Sequence, residues 1–131
     1  AIDVFASMGP DAVDIVPDLV SALGDFDMNV QWSAIQALRS IGKGSVPELI
    51  YILEYEEEII TANILRTFAE LGPLASDARA AILLKLTHSN PEYRALAAEA
   101  LGELGIRTDD VIQALNLLLN DPNKNVMQSA N

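Results

Sequence analysis

The sequence lacks cysteine altogether and has one histidine among 131 residues. A disulfide and a thiolate metal site are therefore excluded. Basic residues are also scarce: eight Lys and Arg stand against 19 Asp and Glu, which gives a formal net charge of −11. Because this charge repels phosphates, no nucleic-acid partner is expected.

Long apolar runs are missing as well. No segment approaches the roughly 18 consecutive apolar residues of a membrane span, and no basic-then-apolar leader opens the sequence. We therefore expect no membrane partner. The composition does not fix the compartment, although a soluble, cytoplasmic location is favoured. Half of the residues are hydrophobic, which argues against disorder and gives one domain of this length its own core.

What the sequence does contain is an internal repeat. Four glycines (Gly9, Gly42, Gly72 and Gly105) are separated by 33, 30 and 33 residues. Apolar residues recur 12, 8, 4 and 1 positions before the later glycines, which is one face of a helix. A second apolar segment follows each glycine. Each unit is therefore predicted to be a helix A, a Gly turn and a helix B.

This pattern predicts an all-α fold, an α-solenoid of antiparallel helix pairs that forms a single array over residues 1–131. The predicted units are 1–26, 27–55, 56–89, 90–120 and a partial unit 121–131. The predicted helices are 1–8, 11–24, 28–41, 45–55, 57–71, 76–88, 91–104, 109–120 and 122–131, with N-caps at Asn90, Thr108 and Asp121.

Stacking of neighbouring units must bury the apolar faces, since one such unit cannot bury its face alone. Leu38, Phe68 and Leu101 are expected to be buried at equivalent positions. The first and last units are short, which indicates a slice of a longer array or atypical end caps. Open array ends would also permit an oligomer.

The repeat resembles the HEAT-like repeats of the phycobilisome-lyase (E–Z) type, which implies a right-handed, armadillo-like superhelix. The residues that carry the resemblance are Asp27-Met28-Asn29-Val30 through Ile41-Gly42 to Val46-Pro47, and Tyr93-Arg94 through Leu104-Gly105. The Arg of the family pattern survives only as Arg94, with Gln31 and Thr61 at the matching positions. We therefore expect the ladder of Asp–Arg pairs to be broken and apolar packing to carry the stacking.

No set of residues points to catalysis, so we expect no enzyme, no cofactor and no catalytic, cofactor-binding or metal-binding residue. His88 has no partner at catalytic or ligand spacing and is expected to contact exposed helix carbonyls. Glu54 and Glu56–Glu58 lack a cation-binding loop pattern and are interpreted as a solvated helix junction. Gly42-Lys43-Gly44-Ser45 lacks both the Walker spacing and a preceding strand.

A partner surface is predicted on the concave helix-B face, which solenoids commonly use for binding. The B-helix core is expected at Leu19, Leu49, Ile82 and Leu115, followed by Leu23, Leu53, Leu86 and Leu119. The position two residues after each member of the first set lies at about 200° on the helical wheel, opposite the core. That column reads Ser21, Tyr51, Leu84 and Leu117. It either packs under a neighbouring helix or missing repeat, or forms a groove for a partner with Tyr51 and Tyr55 as anchors.

Two further features bear on a partner. Trp32 shares a column with Ala62 and Ala95 and is expected to be half covered at an inter-repeat edge. Residues 1–60 carry −9 and residues 61–131 carry −2, which either aids solubility or attracts a basic segment.

The function predicted from these features is a non-catalytic scaffold that binds a protein or peptide, with a basic segment as the suggested ligand. The resemblance implies an alternative, an accessory subunit of a bilin-lyase-like enzyme. The short end units suit a second alternative, a structural spacer within a larger protein.

Overall fold

The computed structural model describes residues 15–55 and 59–130, apart from the side chains of Tyr55 and Ile59. Eight α-helices and no strand occupy these ranges: α1 Val16–Ala22, α2 Met28–Ile41, α3 Val46–Tyr55, α4 Ile59–Leu71, α5 Arg79–Lys85, α6 Pro91–Leu104, α7 Asp109–Leu118 and α8 Lys124–Ala130. The all-α solenoid prediction is confirmed. The predicted helix over 1–8 and the acidic residues Glu56–Glu58 lie outside the described residues.

Side-chain caps begin two of the long helices, α2 and α6, and a glycine follows each of α2, α4 and α6. Asp27 and Asn90 are N-caps of α2 and α6, and their side chains accept from the backbone N–H groups of Asn29 at 2.8 Å and Glu92 at 2.9 Å. The predicted cap at Asn90 is therefore confirmed. At the other ends the chain leaves with positive φ at Gly42, Gly72 and Gly105.

The predicted cap at Thr108 is in place without a side-chain bond to the helix, and the predicted cap at Asp121 is wrong. Thr108 stands at the N-cap position of α7, but its hydroxyl donates to the Asp110 carboxylate and not to the helix backbone. Asp121 accepts from the Asn123 N–H at 2.9 Å in a turn that precedes the helix. The helix itself begins at Lys124, because Asn123 and not Asp121 bonds to its first free N–H groups.

The turns between paired helices consist of 3₁₀ segments, which the sequence did not indicate. A 3₁₀ segment, Gly42–Ser45, joins α2 to α3, and a longer one, Gly72–Ala78, joins α4 to α5. The second segment contains a kink at Ala75, with φ −96° and ψ 17°. Consequently α5 covers only Arg79–Lys85, whereas the sequence predicted a helix over 76–88.

Alternate helices form two layers. The first layer contains α2, α4, α6 and α8, which pack side by side along the array, and the second contains α1, α3, α5 and α7. Successive helices contact each other more extensively in the first layer. There Ala37, Thr67 and Ala100 are fully buried at equivalent positions, and their small side chains let the backbones approach closely.

Equivalent large residues form the core between the layers. Leu38, Phe68 and Leu101 are all completely buried, as predicted. The predicted B-helix core holds in α1, α3 and α5 but not throughout α7. There Leu118 is buried and Leu119 is 40% exposed. Since α7 is the last second-layer helix in the described part of the chain, no following helix covers that flank.

A buried polar network crosses the first half of the array and adds to the apolar packing that was expected to carry the stacking. The Asn63 side-chain N–H₂ group donates to the Leu23 carbonyl at 2.8 Å and to the Gln31 side-chain oxygen at 3.1 Å. Gln31 in turn donates to the Asp25 carbonyl, six residues before it. Arg66 donates to the Asn63 oxygen at 2.8 Å, so every polar atom of the Asn63 side chain is bonded.

Arg94 makes the corresponding contact in the second half. Its guanidinium donates to the His88 carbonyl, again six residues before it, at 2.9 Å. It also forms two parallel bonds with the Asp121 carboxylate, at 3.0 and 3.1 Å. Both side chains are largely buried, and this fork geometry is the strong form of an Arg–carboxylate pair. Gln31 thus stands where the family pattern has an Arg. Its amide contacts the carbonyl six residues before it, as the Arg94 guanidinium does.

Candidate functional site

The predicted partner stripe lies on the second layer. Tyr51, Leu84 and Leu117 lie on α3, α5 and α7, two residues after positions that face the core. Their side chains are 58%, 70% and 77% exposed, so none of them packs under a neighbouring helix in the described part of the chain. The side chain of Tyr55 lies outside the described residues.

The helices that carry these three residues are not all in equally extensive contact. Helix α3 contacts α5, which places Tyr51 and Leu84 on adjacent helices. Helix α7 instead has its more extensive contacts with α8, so Leu117 belongs to a less tightly connected part of the layer. Around Tyr51, Glu48 is half-buried and Glu54 is exposed one turn away on either side. We call Tyr51, Leu84 and Leu117 the second-layer stripe.

A second apolar surface lies on the first layer; the sequence pointed to Trp32 there, but not to a cleft around it. Phe26 in the turn before α2 is fully exposed, and Met28 at the start of α2 is also exposed. Trp32, one turn further, is 53% exposed, which agrees with the half-covered packing that was predicted. The signal in the sequence was a large aromatic residue in a column that otherwise holds Ala62 and Ala95.

Trp32 and Arg66 both line two clefts on this surface. One, of about 290 Å³, lies between α2 and α4 and is lined by Met28, Gln31, Trp32, Ile35, Asn63 and Arg66. The other, of about 220 Å³, reaches from α2 across α4 to α6 and includes Leu65, Ala69, Glu70, Leu96 and Glu99. We call the second one the Trp32 cleft.

Ion pairs link successive first-layer helices across this surface. Arg39 lies 3.7 Å from Glu70, and Arg66 lies 3.2 Å from Glu92. Both pairs are solvent-exposed, so each contributes little to stability. Glu70 and Arg66, one residue from each pair, also line the Trp32 cleft.

Two carboxyl groups have altered titration. The hydrogen bonds from Arg94 hold the pKa of Asp121 below its ordinary value, with help from the Asn123 N–H. The Thr108 hydroxyl lowers the pKa of Asp110, and the Val111 N–H and Arg79 act in the same direction. In both cases the partners favour the charged form, which is the behaviour of structural ion pairs.

The residues that were considered for chemistry have structural contacts. His88 accepts a hydrogen bond at Nδ1 from the Asn90 N–H at 2.9 Å, and its ring lies 4.7 Å from that of Tyr93. It therefore acts as an acceptor before α6. Ser45 is fully buried and donates to the Gly42 carbonyl at 2.9 Å, so its hydroxyl does not face a phosphate.

Within residues 15–54 and 60–130, no three His, Asp or Glu side chains come together as a metal-binding group. None of the helices described here has the length and apolar character needed to cross a membrane.

Comparisons with known proteins agree with this architecture. The family model described as HEAT repeats matches residues 46–130. No protein of curated function matches the chain. Among solved structures, a crystal structure titled as an engineered protein, a Northeast Structural Genomics Consortium target, has a TM-score of 0.62 and 22% identity, and the match covers 98% of this chain and 67% of that one. This structural likeness bears on the fold alone. Since the family match extends over more than half of its residues, the chain belongs to the HEAT repeat family.

Proposed function

We propose that the protein is a non-catalytic interaction scaffold whose partner binds the second-layer stripe. HEAT repeats generally serve as scaffolds for protein interactions, which supports the class of function. The observation that carries the choice of surface is the exposure of Tyr51, Leu84 and Leu117 at equivalent places on three helices. Apolar side chains repeated in register across an array suit an extended or helical segment.

The partner that fits this surface is a protein segment with apolar anchors and basic flanks. Glu48 and Glu54 lie on either side of Tyr51, and the chain as a whole carries a net charge of −11. Opposite charge in a partner would raise its association rate and fix its register on the stripe. The concave placement of this face, the anchor role of Tyr55 and the closer likeness to the E–Z type stay predictions from the sequence.

The experiment is affinity capture with the whole chain, followed by binding measurements on the captured partner. Tyr51→Ser together with Leu84→Ser should weaken binding by at least about 2 kcal/mol, as loss of hot-spot residues does. Leu74→Ser is the matched control, because Leu74 is also exposed but lies in the 3₁₀ turn before α5.

The stripe substitutions should change the free energy of unfolding by less than about 1 kcal/mol, because exposed positions tolerate substitution. A folded double variant that binds its partner as tightly as the parent would contradict the proposal. Binding lost equally in the Leu74→Ser control would also contradict it.

A further inference from the structure

We propose that the Trp32 cleft is a second binding site, separate from the second-layer stripe, and that it takes a Lys or Arg side chain of an otherwise apolar protein segment. The shape of the cleft is the first reason. Ala69 on α4 lies between the larger side chains of Trp32 on α2 and Leu96 on α6, and all three line the cleft. A small residue between two large ones leaves a depression of about 220 Å³ with apolar walls.

Charge gives the second reason and selects the occupant. Glu70 and Glu99 line the same cleft. Glu70 is 3.7 Å from Arg39 in an exposed pair, and Glu99 has no ion pair with a residue that the structure describes. An incoming cation therefore meets a free carboxylate.

The positive charge already in the cleft, that of Arg66, is paired with groups of this chain. Arg66 lines the cleft, but its guanidinium donates to the Asn63 oxygen at 2.8 Å and to the Glu92 carboxylate at 3.2 Å. Glu92 offsets that charge as Arg39 offsets that of Glu70, so among the described residues Glu99 is left as the unpaired charge of the cleft. The net charge of −11 on the whole chain adds a long-range attraction for a cation.

The exposed indole of Trp32 gives the third reason. A guanidinium or ammonium group is attracted to the face of an indole ring, more strongly than to other aromatic rings. The aliphatic stem of Lys or Arg would lie against the apolar walls while its charge reaches Glu99. Apolar neighbours in the same segment would cover Met28, which is 77% exposed one turn before Trp32.

The single tryptophan makes the cleft directly observable, since the chain has one indole N–H resonance in an ¹H–¹⁵N spectrum. The probe is the blocked peptide Leu-Arg-Leu, titrated into the whole chain, with Leu-Glu-Leu and Leu-Met-Leu as control peptides. The Arg peptide should shift the Trp32 indole resonance saturably. The other two should shift it at least about fivefold more weakly at equal concentration.

Two isosteric variants locate the charge that matters. Glu99→Gln should weaken the Arg-peptide affinity at least about fivefold, because it removes the free carboxylate. Glu103→Gln is the matched control: it makes the same change one turn along α6, at an exposed residue that does not line the cleft, and should leave the affinity unchanged.

The proposal would be overturned by no saturable shift at about millimolar peptide, by an equal response to either control peptide, by unchanged affinity in Glu99→Gln, or by a shift that appears on concentrating the protein without peptide. The last result would identify a second copy as the occupant. The Tyr51→Ser and Leu84→Ser double variant should bind the peptide normally. Loss of binding there would place the peptide on the second-layer stripe and reject the cleft, whereas the scaffold proposal would stand.

Discussion

Replacing Phe68 with alanine is the most direct test of how the array is held together. Phe68 lies on α4, which packs between α2 and α6, and its side chain is completely buried. Alanine removes the ring from the apolar environment and leaves a cavity that helices on both sides constrain. Substitutions of this kind cost about 3–5 kcal/mol.

That loss is large against the free energy of unfolding of a whole domain, about 5–15 kcal/mol. With an unfolding entropy of about 2.1 cal/mol/K per residue over 131 residues, the midpoint of thermal unfolding should fall by about 11–18 °C. Helical circular dichroism during urea and thermal unfolding measures both quantities.

Phe26→Ala is the matched control, because it makes the same chemical change at a side chain that is fully exposed. It should alter the free energy of unfolding by less than about 0.5 kcal/mol. A cost below about 1 kcal/mol for Phe68→Ala, or equal costs for the two variants, would refute the assigned register of the core.

Three further outcomes are expected. The pKa of Asp121 is lowered in the folded state, so the stability it contributes is present above the unfolded value of about 3.9 and is lost as the pH falls through the folded value. Asp121→Asn should therefore reduce the loss of thermal stability between neutral and acidic pH, and an unchanged pH profile would contradict this. Gly102→Ala should stabilise by about 0.5–1 kcal/mol, because Gly102 is inside α6 with open space at its Cβ position, whereas Gly72→Ala should destabilise because Gly72 has φ +58°. Effects of the same sign would contradict the backbone assignment. Asn63→Ala should cost about 1–3 kcal/mol by leaving the Leu23 carbonyl and the Gln31 amide without their partner, measured by urea unfolding against the exposed control Asn120→Ala.

The sequence was sufficient to predict the layers of helices and most of the core. The bounds of α2 and α6 match the predicted helices, because both have a clear apolar period and end at glycine. Leu38, Phe68 and Leu101 were predicted correctly for the same reason. Repetition reinforces such signals, since an apolar residue at one position is supported by its equivalents in other units.

The features that were missed depend on how side chains fit their surroundings, which the repeat pattern does not contain. Asn63 does not belong to the repeat pattern, and its bonds to Leu23 and Gln31 span 40 and 32 residues of sequence. The 3₁₀ segment after α4 depends on the local fit of Ala75 and Ala78, which are both buried. Leu119 is exposed because no following second-layer helix of the described chain covers that flank of α7. The apolar period of α7 itself does not show which helices lie next to it.

For the candidate site, the helical wheel correctly placed Tyr51, Leu84 and Leu117 away from the core. It did not identify the Trp32 cleft, because that surface depends on which side chains from three different helices lie next to one another. A wheel describes one helix at a time and cannot show that Ala69 lies between Trp32 and Leu96.

The buried amide of Asn63 also has a consequence for the order of the units. Its donors reach the backbone carbonyl of Leu23 after α1 and the Gln31 side chain of α2, so a preceding unit without Gln31 would leave one donor without its partner. The equivalent interface further along uses an arginine and a carboxylate, Arg94 and Asp121, which differ in charge and length. If two repeats were exchanged by recombination, an amide or a charge would be buried opposite the wrong partner. The helix pairs look interchangeable in their apolar residues. Their buried polar groups, however, are satisfied only beside the matching neighbour, and this fixes the order of the pairs in the array.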